Sequence, residues 1–396
     1  METNSLTRLL FSICDKMTEK DDASELRSAQ SFNPDTWNPG GEVSNHDWDP
    51  DRQCDKLLEL IPDSGNILLS SHDNPDPDAL ASCMALQQLI SAKKGITPRI
   101  AIAGILGRAE NRAMSLELEI DLVPIEILED KHWDAVIMVD AQPRAGNTHL
   151  NPNLPITAVI DHHPARDDLE AKFIDIRPEY GAVSTIIIEY FLGQNLTWST
   201  KLATALFYAI KSETADLGRG ICDADRRAYF ALFDSVDWEI MHRIIKAKIP
   251  GDYFQLYPRG IEAALLYGNA VVCDLGEIPV PDAVAEIADF MLRHEAVSRS
   301  LVIGQYEDQL VFSIRFSSGD LDAGVIASGI VKGFGTGGGH DLMAGGRIIL
   351  KKSQASRSGQ ICTTLVDRFI DQVGQTEFKP GIPLIKDSSS ETKEES

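Results

Sequence analysis

The residue types best suited to chemistry lie in one short stretch, His72-Asp73-Asn74-Pro75-Asp76-Pro77-Asp78. Three carboxylates crowded beside an imidazole repel one another unless a cation sits among them. Oxygen ligands with an imidazole suit a hard divalent ion, and the imidazole tips the choice toward Mn2+ over Mg2+. A plain turn closed by an Asp helix cap, with Asp78 as the cap, is the competing reading of the same residues. Pro75 and Pro77 disfavour helical angles at Asn74 and Asp76, which predicts an extended loop. Residues two apart in an extended chain share a side, so Asp76 and Asp78 are expected to enter one pocket.

The elements around this stretch explain how it is presented. Asn66 to Ser70 reads as a short buried strand and Ala79 to Ile90 as a helix, so the stretch is a strand-to-helix loop. Further apolar runs follow at Arg99–Ala103, Leu122–Ile127, Ala135–Val139 and Ile156–Ile160, separated by helical patterns such as 181–195 and 200–216. Continuous apolar strands between helices are the pattern of a parallel sheet covered on both faces. Asp140 follows one strand directly, and Asp161-His162-His163 follows another. An Asp after a single strand is commonly a turn residue. Ligand-type residues just past the ends of three strands share the edge where open α/β sheets bind ligands.

At least five side chains, His72, Asp76, Asp78, Asp140 and His162, exceed one octahedral ion once waters are added. Two ions about 3.5–4 Å apart fit better. Asp140, coming from its own strand, is the natural bridge. A water shared by two such ions loses a proton near neutral pH, and the ions neutralise charge developing on a phosphate. The predicted reaction is metal-assisted hydrolysis of a phosphoester.

A second α/β unit begins near Asn269, with apolar runs at Ala270–Cys273, Ser298–Ile303 and Leu310–Ile314 and helices near Pro281–Arg293 and Ala323–Lys332. It contains Gly337-Gly338-Gly339-His340, read as a loop, and Ala344-Gly345-Gly346-Arg347. Glycines let backbone N–H groups approach an anion closely. His340, Arg315 and Arg347 can add positive charge there. A flexible loop and solvated arginines are the competing reading. A last strand is expected at Ile348–Leu350 and a last helix at Ser353–Val373.

Composition sets the limits. The 396 residues allow about two or three domains. A formal net charge of -23 disfavours wrapping a long duplex, where affinity comes from Lys and Arg neutralising phosphates. It permits a short nucleotide held by metals and a few basic groups. The six cysteines are scattered and show no Cys-x-x-Cys spacing, which reads as reduced thiols in the cytoplasm. No run approaches the roughly 18 apolar residues of a membrane span, and no signal peptide is expected. Residues 1–53, polar and acidic with Trp37 and Trp48, are expected to be disordered, as is a tail at 377–396. Between them the expected domains are 54–222, a helical connector at 223–268, and 269–376.

The motif His72-x-Asn-Pro-Asp76-x-Asp78, lone Asp140 and Asp161-His162-His163 resemble the DHH phosphoesterase superfamily, and the glycine motifs resemble its companion DHHA1 domain. The resemblance covers about residues 55–375. It implies an α/β protein of two lobes, a parallel-sheet DHH lobe and a smaller DHHA1 lobe, with the active cleft between them. It also implies two Mn2+ ions, Mg2+ being admissible. His72 and Asp76 would hold one, Asp78 and His162 the other, with Asp140 bridging. Asp161 would support the site from behind and His163 would face the substrate phosphate. Gly337, Gly338, Gly339 and His340 would hold the far end of a nucleotide. Two departures stand out. Pro77 replaces a common glycine, and Glu213 stands where the family usually has Asp, with Asp216 as its rival. Members of this length resemble bacterial nanoRNases, which trim short RNA and remove a phosphate from 3′-phosphoadenosine 5′-phosphate. A soluble cyclic-dinucleotide or linear-dinucleotide phosphodiesterase is the second expectation, and a non-catalytic nucleotide-binding scaffold the third. A homodimer is compatible with this reading.

Overall fold

The computed structural model describes residues 50–128, 131–340, 342–350 and 358–385. Most of the expected N-terminal extension, with Trp37 and Trp48, and residues 386–396 lie outside the described residues.

The first lobe is built on strands β1 (Ile67–Ser70), β2 (Arg99–Ile102), β3 (Leu122–Pro124), β4 (Ala135–Val139), β5 (Ala158–Asp161) and β6 (Phe173–Ile176). All pairings are parallel, and the spatial order is β3-β2-β1-β4-β5-β6. The continuous apolar runs become strands because both faces are covered. Leu68, Ala101, Val136, Met138 and Val159 point into one core. Their neighbours Leu69, Ile100, Ile137 and Ile160 are equally buried on the other side, where helix Pro77–Lys94 packs on helices Val183–Gly193 and Thr200–Glu213. From β1 the chain winds outward to β3; from β4 it winds the other way to β6. The order therefore reverses between β1 and β4, and their carboxyl ends open the crevice where such sheets take ligands.

Helices Asp223–Leu232, Trp238–Ile245 and Leu256–Ala263 lead to the second lobe. Its sheet comprises β7 (Leu265–Tyr267), β8 (Ala270–Glu277), β9 (Arg299–Tyr306), β10 (Gln309–Phe316), β11 (Thr336–His340), β12 (Met343–Ile349) and β13 (Ile382–Pro383), in the order β11-β12-β10-β9-β8-β7-β13. In this second sheet only the β8–β9 pairing is parallel among the described strands. Alternation splits the side chains between two cores. Val272, Leu301, Ile303 and Phe312 meet helices Ala323–Val331 and Ser358–Gln372, while Val271, Cys273, Val302 and Val311 meet helix Ala283–Met291.

Three expectations change. The glycine stretch is not a loop but edge strand β11, with Gly337 opposite Gly346 and Gly338 opposite Gly345. Missing side chains make that pairing fit: a Cβ on Gly346 would lie 2.6 Å from the Phe312 ring and one on Gly337 would lie 3.1 Å from it. The last strand begins at Met343 rather than Ile348 for the same reason. The tail expected from 377 is ordered up to 385: Ile382 and Pro383 pair with Leu266 and Leu265, and Leu384 N–H donates to the Ala264 carbonyl at 2.9 Å.

Candidate metal centre

β1 ends at Ser70, and the motif loop that follows is extended only in part. Asn74 adopts φ +54°, a left-handed angle that Asn tolerates. Its side chain reaches the loop after β2, its oxygen accepting from Ile105 N–H at 2.9 Å. Asp76 is extended and caps helix Pro77–Lys94, accepting from the Asp78 and Ala79 amides at 2.9 and 3.0 Å. The cap is thus Asp76, not Asp78, and Asp76 also lies 4.0 Å from His72 Nε2. Asp78 turns to the start of helix Val183–Gly193, where its oxygens accept from Val183 and Ser184 N–H at 2.6 and 2.9 Å.

Asp140 leaves β4 with φ +56°, a turn that brings its carboxylate back over the sheet edge. One oxygen lies 3.5 Å from His72 Nε2; the other lies 3.5 Å from His162 Nε2 and 3.6 Å from His163 Nδ1. Asp140 is 3% exposed, and that second oxygen has no hydrogen-bond partner. Two ligand triads result, His72/Asp76/Asp140 and Asp140/His162/His163, each with its ligand atoms within 4.8 Å of one another. A buried carboxylate with an unsatisfied oxygen, shared by two His-containing triads, is a donor set that fits a pair of divalent cations.

Electrostatics agrees. Burial opposes ionisation of Asp140, yet the His72 hydrogen bond and the charges of His162 and His163 hold it below the usual carboxylate range. Burial works against charge on His72, but the Asp140 hydrogen bond and the Asp76 charge raise it to about 10. His163, also disfavoured by burial, is raised to about 9 by its bond to Asp161 and by Asp140. Burial, then the charge of Asp140, pushes Asp78 upward.

Asp161 sits just behind. One oxygen accepts from the backbone N–H groups of His162 and His163 at 2.8 and 3.1 Å and lies 2.9 Å from His163 Nδ1. The other accepts from Gln142 Nε2 at 2.8 Å. Gln142 was not anticipated; buried, it also accepts from Arg166 N–H at 2.9 Å and so ties the two ligand loops together. Only its place two residues after Asp140 could have drawn attention to it. Glu213 ends helix Thr200–Glu213 within the field of the cluster: burial and then Asp76 raise its pKa. Asp216 is 67% exposed and paired with Lys211. Three successive left-handed residues, Ala215, Asp216 and Leu217, turn the chain between the two acids.

The second lobe meets this centre through charge. Arg347 Nη1 lies 3.6 Å from Asp73, and its Nη2 donates to the Gly146 carbonyl at 2.9 Å. Arg315 Nε donates to Asp289 at 2.9 Å, and Arg108 of the first lobe approaches the same carboxylate at 3.6 Å. Both arginines expected to bind substrate are therefore engaged within the protein. Gly338 has open space where a Cβ would stand, and His340 is the last residue of β11.

A two-lobed α/β protein with an Asp- and His-lined metal centre at a sheet switch point is the class this fold and site define. Residues 66–210 match the DHH family N-terminal domain and residues 268–361 the DHHA1 domain. The chain belongs to the DHH phosphoesterase superfamily, a class of metal-dependent hydrolases, and carries a DHHA1 C-terminal domain. It is 33% identical over 321 residues to an uncharacterized protein of Methanocaldococcus jannaschii, covering 81% of this chain and 66% of that one. It is 29% identical over 164 residues to a probable bifunctional oligoribonuclease and PAP phosphatase, NrnA, of Streptococcus mutans, covering 40% of this chain and 48% of that protein. These matches span less than two thirds of either relative. An exopolyphosphatase-related protein from Bacteroides fragilis shares the fold, with a TM-score of 0.64 at 14% identity over 82% of this chain and 97% of that one.

Proposed function

We propose that this chain hydrolyses phosphoester bonds in short oligoribonucleotides or small nucleotides such as 3′-phosphoadenosine 5′-phosphate, with two divalent cations, Mn2+ foremost. The observation that carries this reading is the sharing of buried Asp140 between two triads. His72 and Asp76 would hold one cation, and His162 the other, with Asp78 and Glu213 as its further ligands. When bound, such a pair lowers the pKa of water and neutralises charge at phosphorus. His163, half-exposed and held by Asp161 at 2.9 Å, is assigned to a phosphate oxygen, with Asp161 fixing its ring. Backbone groups of Gly337 to Gly339 and the His340 position are assigned to the far end of the substrate. Similarity to the probable oligoribonuclease and PAP phosphatase of Streptococcus mutans supports this substrate class, as does the acidic chain, which suits a short substrate. Among the described residues no helix is long and apolar enough to cross a membrane. Among the described residues no disulfide joins two cysteines; a cytoplasmic setting is part of the proposal.

The test is product release, with Mn2+, from 3′-phosphoadenosine 5′-phosphate, di- to pentaribonucleotides, a cyclic dinucleotide and a long single strand. Preference for the short RNAs or the bisphosphate supports the proposal. Turnover of the cyclic dinucleotide alone replaces it with the phosphodiesterase reading. Absence of bound metal and of turnover replaces it with a scaffold.

A further inference from the structure

His162 Nδ1 lies 3.1 Å from the Tyr180 carbonyl oxygen. A carbonyl only accepts, so this nitrogen carries the proton. Nε2 lies 3.5 Å from Asp140, and in the neutral ring it bears the lone pair a cation needs. The chemistry of His162 therefore depends on where the Tyr180 carbonyl is held.

That carbonyl belongs to the turn that follows β6 and is hydrogen-bonded to the ligand-bearing end of β5. Arg177 N–H donates to the Asp161 carbonyl at 3.0 Å, and Tyr180 N–H donates to the Arg177 carbonyl at 3.0 Å. The Arg177 side chain, 5% exposed, forks onto Asp175 with Nε and Nη2 at 2.8 and 2.6 Å. Its Nη1 donates to fully buried Glu189 at 2.5 Å, and the Tyr180 hydroxyl donates to the same carboxylate at 3.1 Å. The guanidinium carbon also stands 5.0 Å from the centre of the Tyr180 ring. A buried ion network is no more stabilising than a well-packed apolar core. An apolar core, however, could not grip Tyr180 through both its ring and its hydroxyl.

We propose that Arg177, with Asp175 and Glu189, is a positioning residue for the metal centre: it fixes the Tyr180 carbonyl, which holds His162 as the Nδ1–H tautomer and presents Nε2 to the cation. The cation part rests on the reading that His162 is a ligand; the tautomer part does not.

The experiment reads both parts in full-length protein. Long-range 15N–1H correlations of the metal-free, 15N-labelled chain, at a pH where the ring is neutral, give the tautomer; calorimetry gives the Mn2+ Kd. The wild type should show Nδ1–H alone. Arg177→Met should populate both tautomers and weaken Mn2+ binding about 10- to 100-fold, the usual range for such partners of a ligand. Arg177→Lys, keeping charge without the fork, should fall between. Should Arg177→Met not fold, Glu189→Gln keeps the volume, loosens the same guanidinium and should shift both readouts in the same direction. Folded variants with wild-type tautomer and Kd but a lower Tm would show a merely structural role and overturn the proposal. So would Nε2–H in the wild type. Nδ1–H in a wild type that binds no Mn2+, with the tautomer lost in the variants, would uphold the positioning and remove the metal reading.

Discussion

Asp140 is the residue on which the centre depends most. On the proposed two-cation reading, replacing it with Asn should cost metal binding in both triads and at least about a thousandfold in turnover, since the bridge and its charge would act on both cations; metal analysis of the purified variant checks the first and product release the second. His72 and His163 set the pH behaviour. Their folded pKa values, about 10 and about 9, lie above the ordinary 6.5. Such groups bind protons more tightly when folded, so their contribution to stability is complete below pH 6.5 and is lost as pH rises through 9 to 10. Metal-free protein should therefore melt at progressively lower temperature across that window, whereas Mn2+ affinity should climb over the same pH range as the ligands shed protons. A melting temperature that rises from pH 7 to 10 without metal would contradict the assignment. At the end of the neighbouring helix, Glu213→Gln should weaken metal binding while Asp216→Asn leaves turnover within about twofold, because the second acid is exposed and engaged with Lys211.

At the scale of elements, glycine chemistry decides the shape of the second lobe's edge. Gly339 has φ +151°, and a Cβ there would sit 2.2 Å from the Met343 carbonyl oxygen. Gly339→Ala should destabilise the lobe by about 2 kcal/mol or more through backbone strain and loss of pairing between β11 and β12, measured by denaturant unfolding. The glycine pattern itself was visible in the sequence. Its meaning was not, because a run of glycines reads as a loop until Phe312 and the β12 glycines opposite are known. The same holds for Asn74 and Asp78. Pro75 excludes the right-handed helical region for Asn74 but not the left-handed one, and nothing local to Asp78 discloses the amides of Val183 and Ser184 more than a hundred residues away.

For the whole molecule, charge joins the lobes. Arg347 reaches Asp73 and Gly146, and Arg108 shares Asp289 with Arg315. Arg347→Ala should change KM and kcat together, as loosened closure does, and wild-type turnover should become more salt-sensitive than that of the variant, because the exposed part of this contact is screened. Steady-state kinetics at two ionic strengths decides it.

The sequence by itself determined the alternation of strand and helix, the parallel first sheet and the gathering of His72, Asp76, Asp140 and His162 at one sheet edge. Those are local matters: apolar runs of strand length, proline and capping chemistry, and side chains placed just past strand ends. Tertiary structure alone decided how these donors divide. The reversal of strand order between β1 and β4 made Asp140 the member common to both triads. Long-range packing added Gln142 behind Asp161 and the Tyr180 carbonyl behind His162. Their distance in sequence from the groups they orient is the physical reason no motif could reveal them.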